Sequence, residues 1–297
     1  MKALVRIELK KAIKSKFFLL GLALMLLFSV LSGIYMIENR ATYNPEVINE
    51  HILQADGTYK NNPDLPLFGF YNSWVGGEAL SLFQTLFYNL LPIGAAIPYA
   101  WSYHTERKSG YLKNIASRTD KKKYFVAKAI AVFTSGVLVV LIPILVNIIM
   151  VSAFVPFVEP FAGYTFYNYH YVGEMWIEYY FTNPMLYVAL YVLLDTLYGG
   201  LYALLSFAVA FYIKNILAVL FMPYLFVAVL GYLENIIITN GVYEAVYAIN
   251  PSLYLHSLMY GGMRMWWIIL PITLVLLIFA LGTIFIRGFR DEIFLAY

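Results

Sequence analysis

Six apolar runs divide the chain, at 17–37, 80–101, 124–154, 185–213, 216–238 and 266–286. Each is long enough to cross roughly 30 Å of hydrocarbon as a helix. None shows the short alternating segments and regular turns of a membrane barrel. The pattern therefore predicts an all-α membrane protein in which residues 1–297 form a single transmembrane domain of six helices. Outside the runs, residues 1–16 mix basic and apolar positions. Leu4, Ile7 and Lys11 fall on one helical line with Val5, Leu9, Ala12 and Ile13 nearby, which fits an amphipathic helix on the membrane surface. A bare topology anchor accounts for the same residues. The run that follows is too long for the apolar core of a signal peptide and is read as a retained span.

Composition supports lipid as the main solvent. The chain is 62% hydrophobic and 12% charged, with a mean hydropathy of +0.72, whereas a soluble domain carries about 25% charge. There is no cysteine, which removes disulfides and thiolate chemistry. The net charge is only +3, but its distribution is lopsided. With both termini in the cytoplasm, 17 of the 20 Lys and Arg residues lie inside, and Arg40, Lys60 and Arg264 lie outside. That asymmetry fixes the expected orientation. The outer loops are then 38–79, 155–184 and 239–265, the second crowded with aromatic residues suited to the interface.

One cytoplasmic loop exceeds what orientation requires. "HTERKSGYLKNIASRTDKKKYFVAK" holds eight basic residues around Gly110. Gly110 permits a sharp break or a positive φ. After it, Leu112, Ile115 and Ala116 share one face of a short helix, a small apolar face ringed by charge. The expectation is a docking element at 102–123.

At this point the chain resembles the ATP-binding-cassette (ABC) type 2 exporter permeases, six-span transmembrane subunits. Glu106, Gly110, Lys113, Asn114, Lys121, Lys122 and Lys128 occupy the places of that family's cytosolic loop pattern. "ELKKAIKSKFF" is similar to its interfacial helix, "YGGLYALLSFAVAFYIKNILAVLFMPYL" to its fourth and fifth spans, and "INPSLYL" to the segment before its sixth. Tyr111 departs from it, since a small or branched residue usually follows the glycine.

The resemblance implies a transport subunit, not itself an enzyme, in the plasma membrane of a bacterium. It also implies a separate ABC ATPase in two copies and a second permease chain, the same chain in a homodimer. Glu106, Arg107, Gly110, Lys113 and Asn114 are the implied ATPase-coupling residues, with the charged pair bridging to the ATPase. The chain itself has no G-x-x-x-x-G-K-[ST] loop. ATP and Mg would be bound by the partner, no cofactor is expected here, and neither is nucleic acid. The implied cargo is hydrophobic or amphipathic: a peptide, an antibiotic or a lipid.

Two acids sit in apolar runs. Asp195, ahead of Gly199 and Gly200, needs a partner, a cavity or water in hydrocarbon. It marks either a translocation path or dimer seam, or a bond to a neighbouring helix. Glu234 lies near the outer end of the fifth run. Asn147 beside Pro143 reads as a satisfied kink. His51, His104, His170 and His256 lack metal-ligand spacing, and Glu174 with Glu178 reads as a solvated face. The alternative to an ATP-driven exporter is a gradient-driven transporter or channel using Asp195.

Overall fold

The computed structural model describes residues 1–42, 69–78, 81–160, 175–239, 249–255 and 266–289. Every regular element among them is helical. In chain order they are α1 (Lys2–Ile13), α2 (Lys16–Thr42), a 3-10 turn (Phe70–Asn72), α3 (Leu82–Ala96), α4 (Ser102–Lys108), α5 (Tyr111–Ala116), α6 (Lys121–Phe154), α7 (Ile177–Thr182), α8 (Pro184–Val209), α9 (Ile216–Thr239), α10 (Pro251–Tyr254) and α11 (Trp266–Phe289). Five helices among the described residues are long and apolar enough to cross a membrane: α2, α6, α8, α9 and α11.

The expected span at 80–101 takes a different form. Here α3 has only 15 residues, about 22 Å at the helical rise, which is short of the hydrocarbon thickness. The helix stops because Pro98 has no N–H to offer the Gly94 carbonyl. The chain continues as turns to Trp101 and then as α4. By contrast α6, at 34 residues, reaches about 50 Å. That is longer than the hydrocarbon thickness, and the first turns of α6 carry Lys121 to Lys128.

Helix packing explains several sequence signals. The α6–α8 pair forms the main seam, and small residues make it possible. A Cβ built on Gly136 would meet the Gly199 carbonyl at 2.5 Å, and one on Gly199 would meet the Gly136 carbonyl at 2.9 Å. The backbones approach as closely as glycine permits. The α2–α6 seam is polar inside: Ser29 donates to the Pro143 carbonyl at 2.7 Å, and the Asn147 amide donates to the Ser29 carbonyl at 2.7 Å. Asn147 also accepts from the Val75 N–H at 2.8 Å. It is thus the satisfied structural residue that the sequence suggested.

Residues 69–78 are buried throughout. They wedge between helices at one end of the bundle. Phe70 N–H donates to the Pro156 carbonyl at 2.9 Å, and Tyr180 donates to the Asn72 side chain. Glu78, in the segment expected as an outer loop, is buried, accepting from Ser32 at 2.6 Å, from the Ser81 N–H at 2.8 Å and from the Ser81 hydroxyl. The remainder of the 38–79 loop from residue 43 to 68 lies outside the described residues, as do 161–174, 240–248 and 256–265 of the other two loops.

At the other end of the bundle the basic segments converge. Ser15 bonds the Pro98 carbonyl, Phe17 stacks on Trp101, Tyr103 packs on Phe207 and Phe211, Lys122 lies over Phe289, and Arg287 lies over Tyr212. The charge asymmetry of the sequence thus becomes one basic face in space.

A bulky side chain at the α6–α8 seam is expected to be costly. Gly136→Leu should destabilise by about 1–3 kcal/mol through overpacking. Gly282→Ala, where an added Cβ meets nothing within 4 Å, should be close to neutral. Thermal unfolding of both variants in the same detergent checks the contrast.

Candidate functional site

On the basic face, four charges close a ring. Glu8 comes from α1, Glu106 from α4, Lys11 from α1 and Lys128 from α6. Lys128 Nζ lies 2.6 Å from Glu106 Oε2 and 3.3 Å from Glu8 Oε2. Lys11 Nζ lies 2.7 Å from Glu8 Oε1 and 3.6 Å from Glu106 Oε1. Each lysine therefore sits between both carboxylates, and the set is neutral. Glu8 is 1% exposed and Lys128 0%, so these are buried ions that survive only by mutual pairing.

Tyrosines complete the shell. Tyr99 donates to Glu8 at 2.8 Å and Tyr124 donates to Glu106. Lys128 faces the Tyr99 ring at 4.5 Å and the Tyr124 ring at 5.7 Å, a favourable cation–π geometry. Lys11 donates to the Tyr111 hydroxyl at 3.0 Å and lies 4.6 Å from that ring. Burial alone would raise the Glu8 carboxyl. Lys128, then Lys11, then the Tyr99 hydrogen bond together outweigh it and hold the group below its ordinary value. Burial alone would lower Lys11, but Glu8, Tyr111 and Glu106 raise it above its ordinary value.

The ring redefines both neighbouring elements. The surface helix was expected to lie on the membrane as an amphipathic helix. Against the bundle, Glu8 and Ala12 are the buried positions of α1, Leu4, Val5 and Leu9 are half-buried, and Ile7 is 51% exposed. Electrostatic pairing at Glu8 joins apolar contact in fixing this helix against the bundle.

The loop between the second and third apolar runs folds as a hairpin of α4 and α5. Gly110 joins them at φ +74°, the left-handed conformation expected of it. Tyr103 anchors the hairpin in the bundle, 1% exposed and 4.6 Å from the Phe211 ring. Two expectations are corrected here. Glu106 was expected to reach outward to a partner, yet its carboxylate is held inside the chain by Lys128, Lys11 and Tyr124. Leu112 was expected on an exposed apolar docking face, yet it is fully buried. Arg107, Lys108, Asn114 and Arg118 are exposed, so the outer surface of the hairpin is polar and basic. Lys113 lies on the helical backbone of α5, and its side chain is outside the described residues, as is that of Glu234 in the last turns of α9.

Asp195 sits apart, on α8 and 0% exposed. Tyr88 of α3 donates to its Oδ2 at 2.9 Å, and its Oδ1 has no hydrogen-bond partner among the described residues. It faces the interior of the bundle, bonded to a neighbouring helix, and not the outer surface of the chain. Nearby on α8, Tyr198 contacts the hydroxyls of Tyr254 and Thr273 and so ties α8 to α10 and α11.

The sequence reading gave no site role to Glu8, Lys11, Tyr99 or Tyr124. A signal was present: Glu8 is the only acid in residues 1–37, and Glu106 the only acid in residues 79–119. A lone acid inside a strongly basic block points to an internal partner. Tyr111, the departure from the resembled pattern, is explained by its bond to Lys11. No protein-family model, no curated protein and no solved structure matches this chain.

Removing one member of the ring leaves buried charge unpaired. Lys128→Met is expected to destabilise the chain by about 3 kcal/mol, and adding Glu106→Gln should recover part of the loss. The pH response follows from the two shifts. Because Glu8 is lowered, its contribution is present above its ordinary value of 4.5 and is lost as pH falls through the lowered one. Because Lys11 is raised, its contribution is present below 10.5 and is lost only as pH rises through the raised one. Protection of the amides of residues 2–13 from deuterium exchange, corrected for the intrinsic exchange rate at each pH, should stay flat between about pH 6 and 9 and fall below about pH 4.

Proposed function

We propose that this chain is the membrane permease subunit of an ATP-driven exporter of the ABC type 2 kind. The observation that carries the reading is the basic hairpin joined through a buried ion ring to both α1 and α6. Such a hairpin is an exposed lever with a fixed inner end. A displacement applied to α4–α5 is passed to a surface helix and to the longest helix of the bundle, not absorbed in a flexible loop.

On this reading the basic face is cytoplasmic, both termini lie on that side, and the short α3 with the turns after it serves as the second of six crossings. A separate ATPase in two copies binds ATP and Mg, and two permease chains form the pathway between them. Arg107 and Asn114, exposed on the hairpin, contact the ATPase together with Lys113, and Gly110 sets the angle between the two short helices. Glu106 acts from within, as the residue that holds the hairpin to the bundle. The cargo is hydrophobic or amphipathic, in keeping with an interior lined by aromatic residues such as Tyr187, Tyr191, Tyr198 and Tyr202.

A second reading, gradient-driven transport, draws on the partnerless Oδ1 of Asp195. A single buried acid is a sparse relay, because proton pathways through membranes use several such groups.

Co-purification with an ABC ATPase, sought in the reading frames adjacent to this one, tests the first reading. Gly110→Val and Arg107→Glu should each lower permease-stimulated ATP hydrolysis by about fivefold or more, the lower range of coupling energies, without loss of the complex. A stable complex whose hydrolysis rate ignores both changes would refute the coupling role. Transport in liposomes that lack any ATPase, abolished by Asp195→Asn, would favour the second reading.

A further inference from the structure

Beside the hairpin, two adjoining hollows of about 340 and 630 Å³ form one open cleft between α4 and the α8–α9 turn. His104, Lys108 and Lys214 line both parts, and Arg107 lines the first. Among the described residues no carboxylate lines either. The acid next in sequence, Glu106, is turned inward to Lys128. Arg107, Lys108 and Lys214 form no ion pair with a described residue, unlike the two lysines of the buried ring. Arg287 adds a further cation, 5.0 Å over the Tyr212 ring that borders the cleft. This is concentrated and uncompensated positive charge, a setting that recognises phosphate.

The rim is apolar. Tyr212 is 57% exposed and Leu217 65%. From Leu217 an exposed stripe continues one turn at a time along α9 through Phe221 and Leu225, 46% and 49% exposed. A soluble phosphate or an acidic peptide has no use for such a track. A phospholipid matches both halves, since its headgroup meets the cations and its chain lies along the helix.

We propose that the cleft between α4 and the α8–α9 turn binds the phosphate headgroup of an anionic phospholipid, with an acyl chain lying along Leu217, Phe221 and Leu225. The site does not rest on the transport reading, for it needs only that the basic face meets a bilayer. A lipid held there touches α4 directly, so the hairpin's position depends on the composition of the surrounding leaflet.

The test uses the full chain in nanodiscs containing equal phosphatidylglycerol and phosphatidylcholine, with co-purifying lipid counted by native mass spectrometry. The wild type should retain phosphatidylglycerol preferentially. The Lys108→Gln/Lys214→Gln double variant should lose that preference by about tenfold. Lys10→Gln/Lys14→Gln removes two exposed charges from α1 and should keep it. An equal loss in both double variants, or no loss in either, would overturn the site. Millimolar inorganic phosphate or glycerol phosphate should fail to displace the lipid. Displacement by either would assign the cleft to a soluble phosphate and sink the lipid proposal. Unchanged unfolding temperatures in both variants would exclude misfolding as the cause of any loss.

Discussion

A charge taken out of water must be answered by another charge, and this constraint organises the basic end of the molecule. At an effective dielectric of about 20, opposite unit charges 3 Å apart attract by about 5 kcal/mol. Desolvation costs several kcal/mol for each buried ion and offsets most of that gain. The ring of Glu8, Lys11, Glu106 and Lys128 is therefore a modest source of stability. Its main effect is registry. Each lysine contacts both carboxylates, so α1, α4 and α6 cannot rotate or slide separately without opening two contacts at once. Three elements distant in the sequence thus behave as one body.

The opposite end is held by neutral hydrogen bonds and close packing. There the polar groups of the helices meet single, well-placed partners: Ser29 with Pro143, Asn147 with Ser29 and Val75, and Tyr180 with Asn72. Glycines at 136 and 199 bring α6 and α8 together where no driving force from water exists. Glu78 is a buried acid of this end, and serine hydroxyls and a backbone N–H donate to it. These contacts are thus hydrogen bonds, whereas those of the ring at the other end are ion pairs.

This division also explains what the sequence could reveal. Long apolar runs are direct statements about solvent, so five helices long and apolar enough to cross a membrane and the segregation of positive charge were legible, as were the left-handed backbone at Gly110 and the close approach at Gly199. The shortness of α3 was harder to see, because its run looks continuous in hydropathy and the break depends on one proline. Pairings between distant residues were not legible. Periodicity placed Leu4, Ile7 and Lys11 on one line of α1, but it carries no information about Lys128, which arrives from more than a hundred residues away. Likewise Leu112 and Ile115 mark an apolar face without saying whether the chain itself or another molecule covers it. The lone acids were the available clue, and their meaning appears only when the basic segments are brought together.

The alternation at positions 106 to 108 has a mechanical consequence. Successive helical residues point about 100° apart, so Glu106 can face the bundle while Arg107 and Lys108 face away. One short helix thereby presents an anchor on one side and a cationic surface on the other. Whatever binds that surface, acidic protein or acidic lipid, acts on a rigid arm and not on the bundle directly. A flexible basic loop would have satisfied orientation in the membrane equally well. Pairing Glu106 with Lys128 adds nothing to such a charge signal, because it cancels one positive charge of the basic face. The arrangement is better suited to a loop whose position matters, and this physical argument, more than the number of lysines, sets the hairpin apart from an ordinary connection between two membrane helices.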